Sequence, residues 1–156
     1  MKVHLIFVGK TREAYLREGI EDYLTRLRRY VSVKLTVVRS EVLRGAGMDE
    51  AIINKESERV EAQVDPGSHF VLLDRLGKQI TSEEFSRWWA HREEAGCRTV
   101  SFAVGGALGF SDHLRRRAHT LLSLGKMTFT HEMSRLILLE QLYRARTILR
   151  GEKYHK

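Results

Sequence analysis

The sequence predicts an α/β fold, a single domain in which one parallel sheet is covered by helices on both faces. Three observations predict it. Apolar, β-rich runs alternate with amphipathic stretches along the whole chain, the order that a parallel sheet with crossover helices requires. The chain has 156 residues, 42% of them hydrophobic, which suits one domain with an ordinary core. No linker, repeat or low-complexity tract divides it, and the one proline, Pro66, falls in a turn.

The elements follow in order. "VHLIFVG" (3–9) reads as a buried strand. Tyr15, Leu16, Ile20, Tyr23, Leu24 and Leu27 recur at helical spacing and predict a helix over 12–30. "VKLTVVR" (33–39) is a second strand, and 40–47 is a polar, flexible loop. A charged helix over 48–64 is closed by the turn "DPGS" (65–68). "HFVLLD" (69–74) is a third buried strand, followed by a turn at "RLGK" (75–78). Thr81 and Glu84 have the spacing of a capping box for a helix running to about Glu94. "RTVSFAV" (98–104) is a fourth strand. Ser111 is the natural N-cap of a helix over "DHLRRRAHTLL", and 123–129 reads as a short extended segment. The last helix covers 131–151 and ends at Gly151. Its "LILLE" places apolar residues on nearly all sides, whereas a surface helix needs one apolar stripe. A second face is therefore buried, in the core, against another subunit, or both.

Composition narrows the function classes. The formal net charge is +7, which favours phosphate-rich partners. Five cations (Arg144, Arg146, Arg150, Lys153 and Lys156) against Glu152 alone put +4 of it in the last thirteen residues. Cys97 is the only cysteine, so no internal disulfide forms. No apolar run is long enough to span a bilayer, and the N-terminal apolar run is too short for a signal peptide. A cytoplasmic protein without membrane contact is the expectation. The seven histidines and the cysteine show no metal-ligand spacing. The basic clusters 26–29 and 115–117 read as solvated helix faces, and Trp88 and Trp89 as packing.

Gly105, Gly106 and Gly109 follow the fourth strand in "SFAVGGALGFS" (101–111). A P-loop needs GxxxxGK and then Ser or Thr, and a dinucleotide site needs GxGxxG after the first strand. Neither pattern is present. An adenosyl ligand without phosphates needs neither, only backbone able to approach it closely. On this stretch alone, glycines that turn the chain and pack a helix on a strand are the simpler account.

A second segment adds to it. "VGGALGFS", "SLGKMTFTH", "LLEQLYRA" and the terminal "RGEKYHK", with "VHLIFVGK" and "VLLDRLGK", resemble the bacterial large-subunit ribosomal pseudouridine methyltransferases of the SPOUT class. The resemblance spans the whole chain. It implies a homodimer with a trefoil-knotted C-terminal half that binds S-adenosylmethionine. It implies methylation of N3 of a pseudouridine in a hairpin loop of 23S rRNA on the assembled ribosome. Carried over residue by residue, it places Leu73, Gly105, Leu124, Gly125, Lys126, Met127, Thr128 and Phe129 in the cofactor pocket. One departure is visible: Thr130 stands where the family has proline, and threonine still caps a helix.

The resemblance also raises four residues above their ordinary readings. His131 is the first candidate for taking the N3 proton or positioning the substrate. Arg144 is a candidate to hold a phosphate or the base carbonyl. Tyr154 and His155, in "KYHK", supply the aromatic and polar groups that a splayed-out loop base needs. The corresponding bland readings are a local helix-start histidine, an ion-paired arginine and a disordered tail. Two non-enzymatic alternatives stand beside the methyltransferase: a basic ribosome-binding module and a flavodoxin-like nucleotide-binding regulator.

Overall fold

The computed structural model describes residues 1–42 and 45–155. Leu43 and Arg44, in the loop expected over 40–47, and Lys156, the last of the tail cations, lie outside the described residues. The order is β1 (Lys2–Val8), α1 (Ala14–Leu27), β2 (Ser32–Val38), α2 (Asp49–Glu61), β3 (His69–Gln79), α3 (Ser82–Glu94), β4 (Thr99–Val104), α4 (Asp112–Arg117), β5 (Thr120–Ser123) and α5 (His131–Leu149). The strands form one five-stranded sheet in the order β2-β1-β4-β3-β5, with every ladder parallel.

Side-chain alternation sends each strand's residues to two cores. Val3, Leu5 and Phe7 of β1 and Val100, Phe102 and Val104 of β4 meet α1, α3 and α5 on one face. Ile6, Val8 and Ala103 meet Val60 of α2 and Leu114 of α4 on the other. Each of the larger side chains, Val, Leu, Ile or Phe, taken from water contributes about 1.5–3 kcal/mol. Both tryptophans pack: Trp89 is fully buried and stacks on Phe102, while Trp88 stacks on Phe85.

Local signals act as the sequence predicts at several ends. The Thr81 hydroxyl accepts from the Glu84 amide at 3.1 Å, and the Glu84 carboxylate accepts from the Thr81 amide at 2.7 Å. Ser111 and Thr130 cap α4 and α5 through the amides of Leu114 and Met133. The all-round apolarity of α5 has a structural origin. It packs between α1 and α3 over the sheet and buries Leu138, Leu139, Leu142 and Ala145.

Two expectations need correction. The helix after Ser111 is short, and its last stretch is a strand. Ala118 leaves helical geometry (ψ 141°), the His119 amide bonds the Phe70 carbonyl at 2.9 Å, and 120–123 pairs with β3. The apolar "TLLS" thus satisfies a sheet edge rather than a helix face, and 124–129 is loop instead of strand. The expected turn at 75–78 is instead an interruption within β3. Leu73 and Lys78 both pair with Leu122, and the residues between them leave the ladder. A Cβ on Gly77 would lie 2.6 Å from backbone atoms of Leu121 and Leu122, so only glycine allows that approach.

Candidate functional site

In an open parallel sheet the crevice lies at the carboxyl ends of the strands, where neighbouring connections depart in opposite directions. Here that point falls between β1 and β4. The chain leaves β1 toward β2 at one edge and leaves β4 toward β5 at the other. Beside that point, at the carboxyl ends of β4, β3 and β5, opens a cleft of about 800 Å³. Its walls are the end of β3 (Leu73 to Arg75), the glycine segment 104–110, the loop after β5, and the first residues of α1 and α5.

The glycine segment is tight. A Cβ on Gly105 would stand 3.3 Å from the Phe110 ring, and one on Gly106 would stand 2.9 Å from Glu56 Oε2. Gly109 adopts a φ of 77°, in the left-handed region that favours glycine. The turn therefore holds bare backbone against the cleft. Leu73, Gly105, Leu124, Gly125, Met127, Thr128 and Phe129 all line it. Lys126 is not among the lining residues.

His131 is the first residue of α5 and lines the same cleft. Burial, and then the nearby Arg135 guanidinium, hold its imidazole below the ordinary value near 6.5. It is therefore neutral at pH 7 and able to accept a proton. Its neighbour Glu132 binds the start of α1, accepting from the amides of Arg12 and, at 3.3 Å, Glu13.

The other three candidates lie elsewhere. Arg144 is thirteen residues further along α5, about 20 Å at 1.5 Å per residue. It grips Glu140 (2.5 and 3.0 Å) and donates to His155 Nδ1 at 3.2 Å. Tyr154 donates to Glu140 Oε1 at 3.0 Å, accepts from Tyr23 at 3.0 Å, and packs edge-on against Tyr143. Burial, followed by these hydrogen bonds, pushes its hydroxyl pKa well up, so it remains a donor. His155 Nε2 reaches Glu83 at 2.8 Å. The tail is thus docked on α5, and one chain holds two clusters: His131 at the cleft and Arg144–Tyr154–His155 at the far end of the helix.

Three contributors were not legible in the sequence. Asp74, buried at the cleft floor, takes Arg115 Nε at 2.7 Å and the Leu76 amide at 2.9 Å. Arg115 therefore does not belong to a solvated face, and Arg117 pairs with Glu61. Arg135 is fully buried beneath His131, and Glu56 is 4% exposed behind Gly106. Among the described residues no group of three or more His, Cys, Asp or Glu side chains is placed to hold a metal ion. No helix among them is long and apolar enough to cross a membrane.

Comparison with known proteins agrees with this architecture. A family described as predicted SPOUT methyltransferase matches residues 1–155. A protein of Geobacter metallireducens named ribosomal RNA large subunit methyltransferase H is 45% identical over 155 residues, covering 99% of each chain. One of the same name from Symbiobacterium thermophilum is 43% identical over 161 aligned positions, covering 100% of both. Among solved structures, a probable methyltransferase from Bordetella pertussis Tohama I superposes with a TM-score of 0.52 at 11% identity, covering 92% of this chain and 95% of that one. A probable methylase family protein from Haemophilus influenzae Rd KW20 gives 0.54 at 10% identity, covering 97% and 67%. At such identities these two show the fold.

Proposed function

This chain belongs to the SPOUT methyltransferase family, and from that premise we propose that it methylates N3 of a pseudouridine in a hairpin loop of large-subunit ribosomal RNA, on the assembled ribosome, with S-adenosylmethionine as donor. The observation that carries the reading is the cleft itself. It combines bare glycine backbone at the strand ends, no phosphate-binding loop, and a neutral imidazole on its wall.

The residues present fit the donor. The Gly105–Gly106 turn admits a flat, uncharged adenosyl group against backbone, and Leu73 with the 124–129 loop closes around it. S-Adenosylmethionine supplies an electrophilic methyl group on a sulfonium. What the chain supplies is position, worth much of the acceleration, and a proton acceptor. His131, neutral and half-buried at the cleft, takes the proton from N3.

The second cluster enters as part of a homodimer. Arg144, Tyr154 and His155 are too far from His131 to join it within one chain, and a second copy brings its α5 and tail, with these residues, to the cleft. The cleft's mouth is apolar and exposed, with Met127 81%, Tyr15 62% and Phe129 41% accessible, a surface that a second copy covers. The knotted C-terminal half is part of the same reading. The break in β3 opposite Leu122, with Gly77 against the β5 backbone, supports it.

The test is incubation with labelled S-adenosylmethionine and assembled ribosomes from cells lacking the modification, followed by mapping of the label. Label on a pseudouridine N3 in large-subunit rRNA is expected. Cofactor binding without label would make the substrate assignment wrong. Absence of both would favour a binding module.

A further inference from the structure

A second, smaller groove of about 260 Å³ adjoins the cleft. The two share Gly106, Ala107, Leu108, His131 and Glu132 as a common wall. Beyond that wall the groove is lined by Lys10 and Arg12 from the β1–α1 loop, and by Glu41 and Glu56. Lys10 and Arg12 are exposed at its rim, with no carboxylate in ion-pair distance among the described residues. Glu56 is the opposite, an acid buried at the groove's base.

The two oxygens of Glu56 differ. Oε1 accepts from the Glu41 amide at 2.9 Å. Oε2 faces the Gly106 backbone, where a Cβ would meet it at 2.9 Å, and has no protein donor among the described residues. Arg59, whose charge acts on Glu56, is committed to the Glu41 carboxylate and the Arg39 carbonyl. Burial pushes the Glu56 carboxyl up, with the Glu41 amide only partly opposing it. Oε2 is not sealed from solvent, so a ligand in the groove can supply its donor in place of water.

Resting on the methyltransferase reading above, we infer that this groove receives the acceptor nucleobase, with its flanking phosphates on Lys10 and Arg12 and with Glu56 Oε2 accepting a ring N–H. The N3 edge of the base then passes the Gly106–Leu108 turn beside His131 into the cleft, so that N3 meets the donor methyl group directly and in line, as displacement at the methyl carbon requires. The chemistry of the base selects the partner for Glu56. Pseudouridine carries two ring N–H groups. N3–H is the one lost in the reaction, and N1–H stands where uridine has a carbon. A carboxylate oxygen accepting N1–H reads that difference directly, and uridine would leave it unsatisfied.

Glu56→Gln inverts the reader at little change in shape. The Glu41 amide retains the side-chain oxygen, so the NH₂ group faces the groove and meets N1–H donor to donor. Assembled ribosomes bearing pseudouridine at the acceptor position of the large-subunit rRNA, and others bearing uridine there, are offered to both proteins with labelled S-adenosylmethionine. The wild type should prefer pseudouridine by kcat/KM on the order of tenfold or more, and Glu56→Gln should lose most of that ratio, with donor binding unchanged by calorimetry. An unchanged ratio in the variant overturns the inference. A wild type that methylates neither particle, or both equally, overturns it together with the substrate assignment. The exposed pair Lys10→Ala/Arg12→Ala gives an independent readout, since neither side chain holds the fold. It should weaken particle binding, reduce its salt dependence by about two counter-ions and spare donor affinity. An unaltered salt slope removes the phosphates from that rim.

Discussion

Arg135 donates from inside α5 to the carbonyl of Val8, the last residue of β1, at 2.5 Å. The same guanidinium reaches the Thr11 hydroxyl at 2.8 Å and lies 5.1 Å from the centre of the Phe7 ring, yet no carboxylate pairs with it among the described residues. A fully buried cation without an ion-paired carboxylate among the described residues ties the start of α5 to the end of β1. It also lies one helical turn from His131 and disfavours imidazolium there.

Arg135→Met should therefore act on the acid limb of the reaction. In the role proposed for His131 the neutral imidazole is the active form, so activity should fall as pH drops through its pKa, which burial and Arg135 hold below the ordinary histidine range. Removing the guanidinium raises that pKa and moves the acid limb of kcat/KM to higher pH. Stability should drop by about 2 kcal/mol as the Val8 carbonyl loses its donor. Arg135→Lys keeps the charge but not the fork, so the limb should stay near its original place. A pH–rate profile in which Arg135→Met leaves the limb unmoved would assign Arg135 a packing role alone.

Gly77→Ala should destabilise the protein by about 3 kcal/mol or more. The added methyl would meet backbone at 2.6 Å, which cannot rotate aside as a side chain does. Urea unfolding measures this directly. A loss under 1 kcal/mol would mean that β3 and β5 separate there at little cost.

His69 should make stability fall on acidification. Its imidazole bonds Thr120 at 2.8 Å and stacks on His119. Burial first, then Arg92 and His119, lower its pKa to about 4. Between pH 6.5 and 4 the unfolded chain takes a proton there and the folded chain does not, so stability drops over that window. Below about 4 both states are protonated and this contribution to the slope ends. His69→Gln should flatten that part of a Tm-versus-pH curve, and an unchanged curve would exclude His69 as its source.

Much of this molecule was legible because local physics decided it. Buried strands such as 3–9 and 69–74 read as apolar runs, and Thr81, Ser111 and Thr130 cap helices whatever surrounds them. The misses are places where distant contacts decide. The stretch after Arg117 has helical character, but the open edge of β3 draws 120–123 into the sheet. Arg135 and Glu56 look like solvated charges on helices, and only the packing of β1 and of the Gly106 turn against them makes them buried. The cleft-lining residues named from the sequence, such as Leu73, Gly105 and Met127, were legible through resemblance rather than periodicity. The distance between His131 and the docked tail is set by the length of α5 and became clear only from the helix as a whole.

Truncation after Gly151 should abolish methylation and spare donor binding. The deletion removes the Glu152–Tyr30 bond at 2.6 Å and the Tyr154 contacts with Tyr23, Glu140 and Tyr143, for a stability loss of about 1–2 kcal/mol. None of those groups touches the cleft of its own chain. Calorimetry with S-adenosylmethionine should therefore give an unchanged affinity while labelled transfer disappears. Retained transfer would exclude the tail from catalysis.

A free RNA hairpin of the target sequence should be methylated at least about 100-fold less efficiently than the assembled ribosome. Affinity for an isolated RNA comes largely from cations free to replace counter-ions on its phosphates. Many of this chain's basic groups are already committed: Arg115 to Asp74, Arg117 to Glu61, Arg146 to Glu93, Arg144 to Glu140 and Arg26 to Asp22. Each pair also takes up an acid, so the net charge stays at +7, but fewer of the cations are free to replace counter-ions. A loop held in place by the ribosome offers shape and pays the ordering entropy in advance, which a free hairpin must lose on binding. Parallel kcat/KM measurements on both substrates at one salt concentration decide it. Comparable turnover of the hairpin would mean that the chain reads the loop itself, and that the uncommitted cations at Lys10 and Arg12 are enough to hold it.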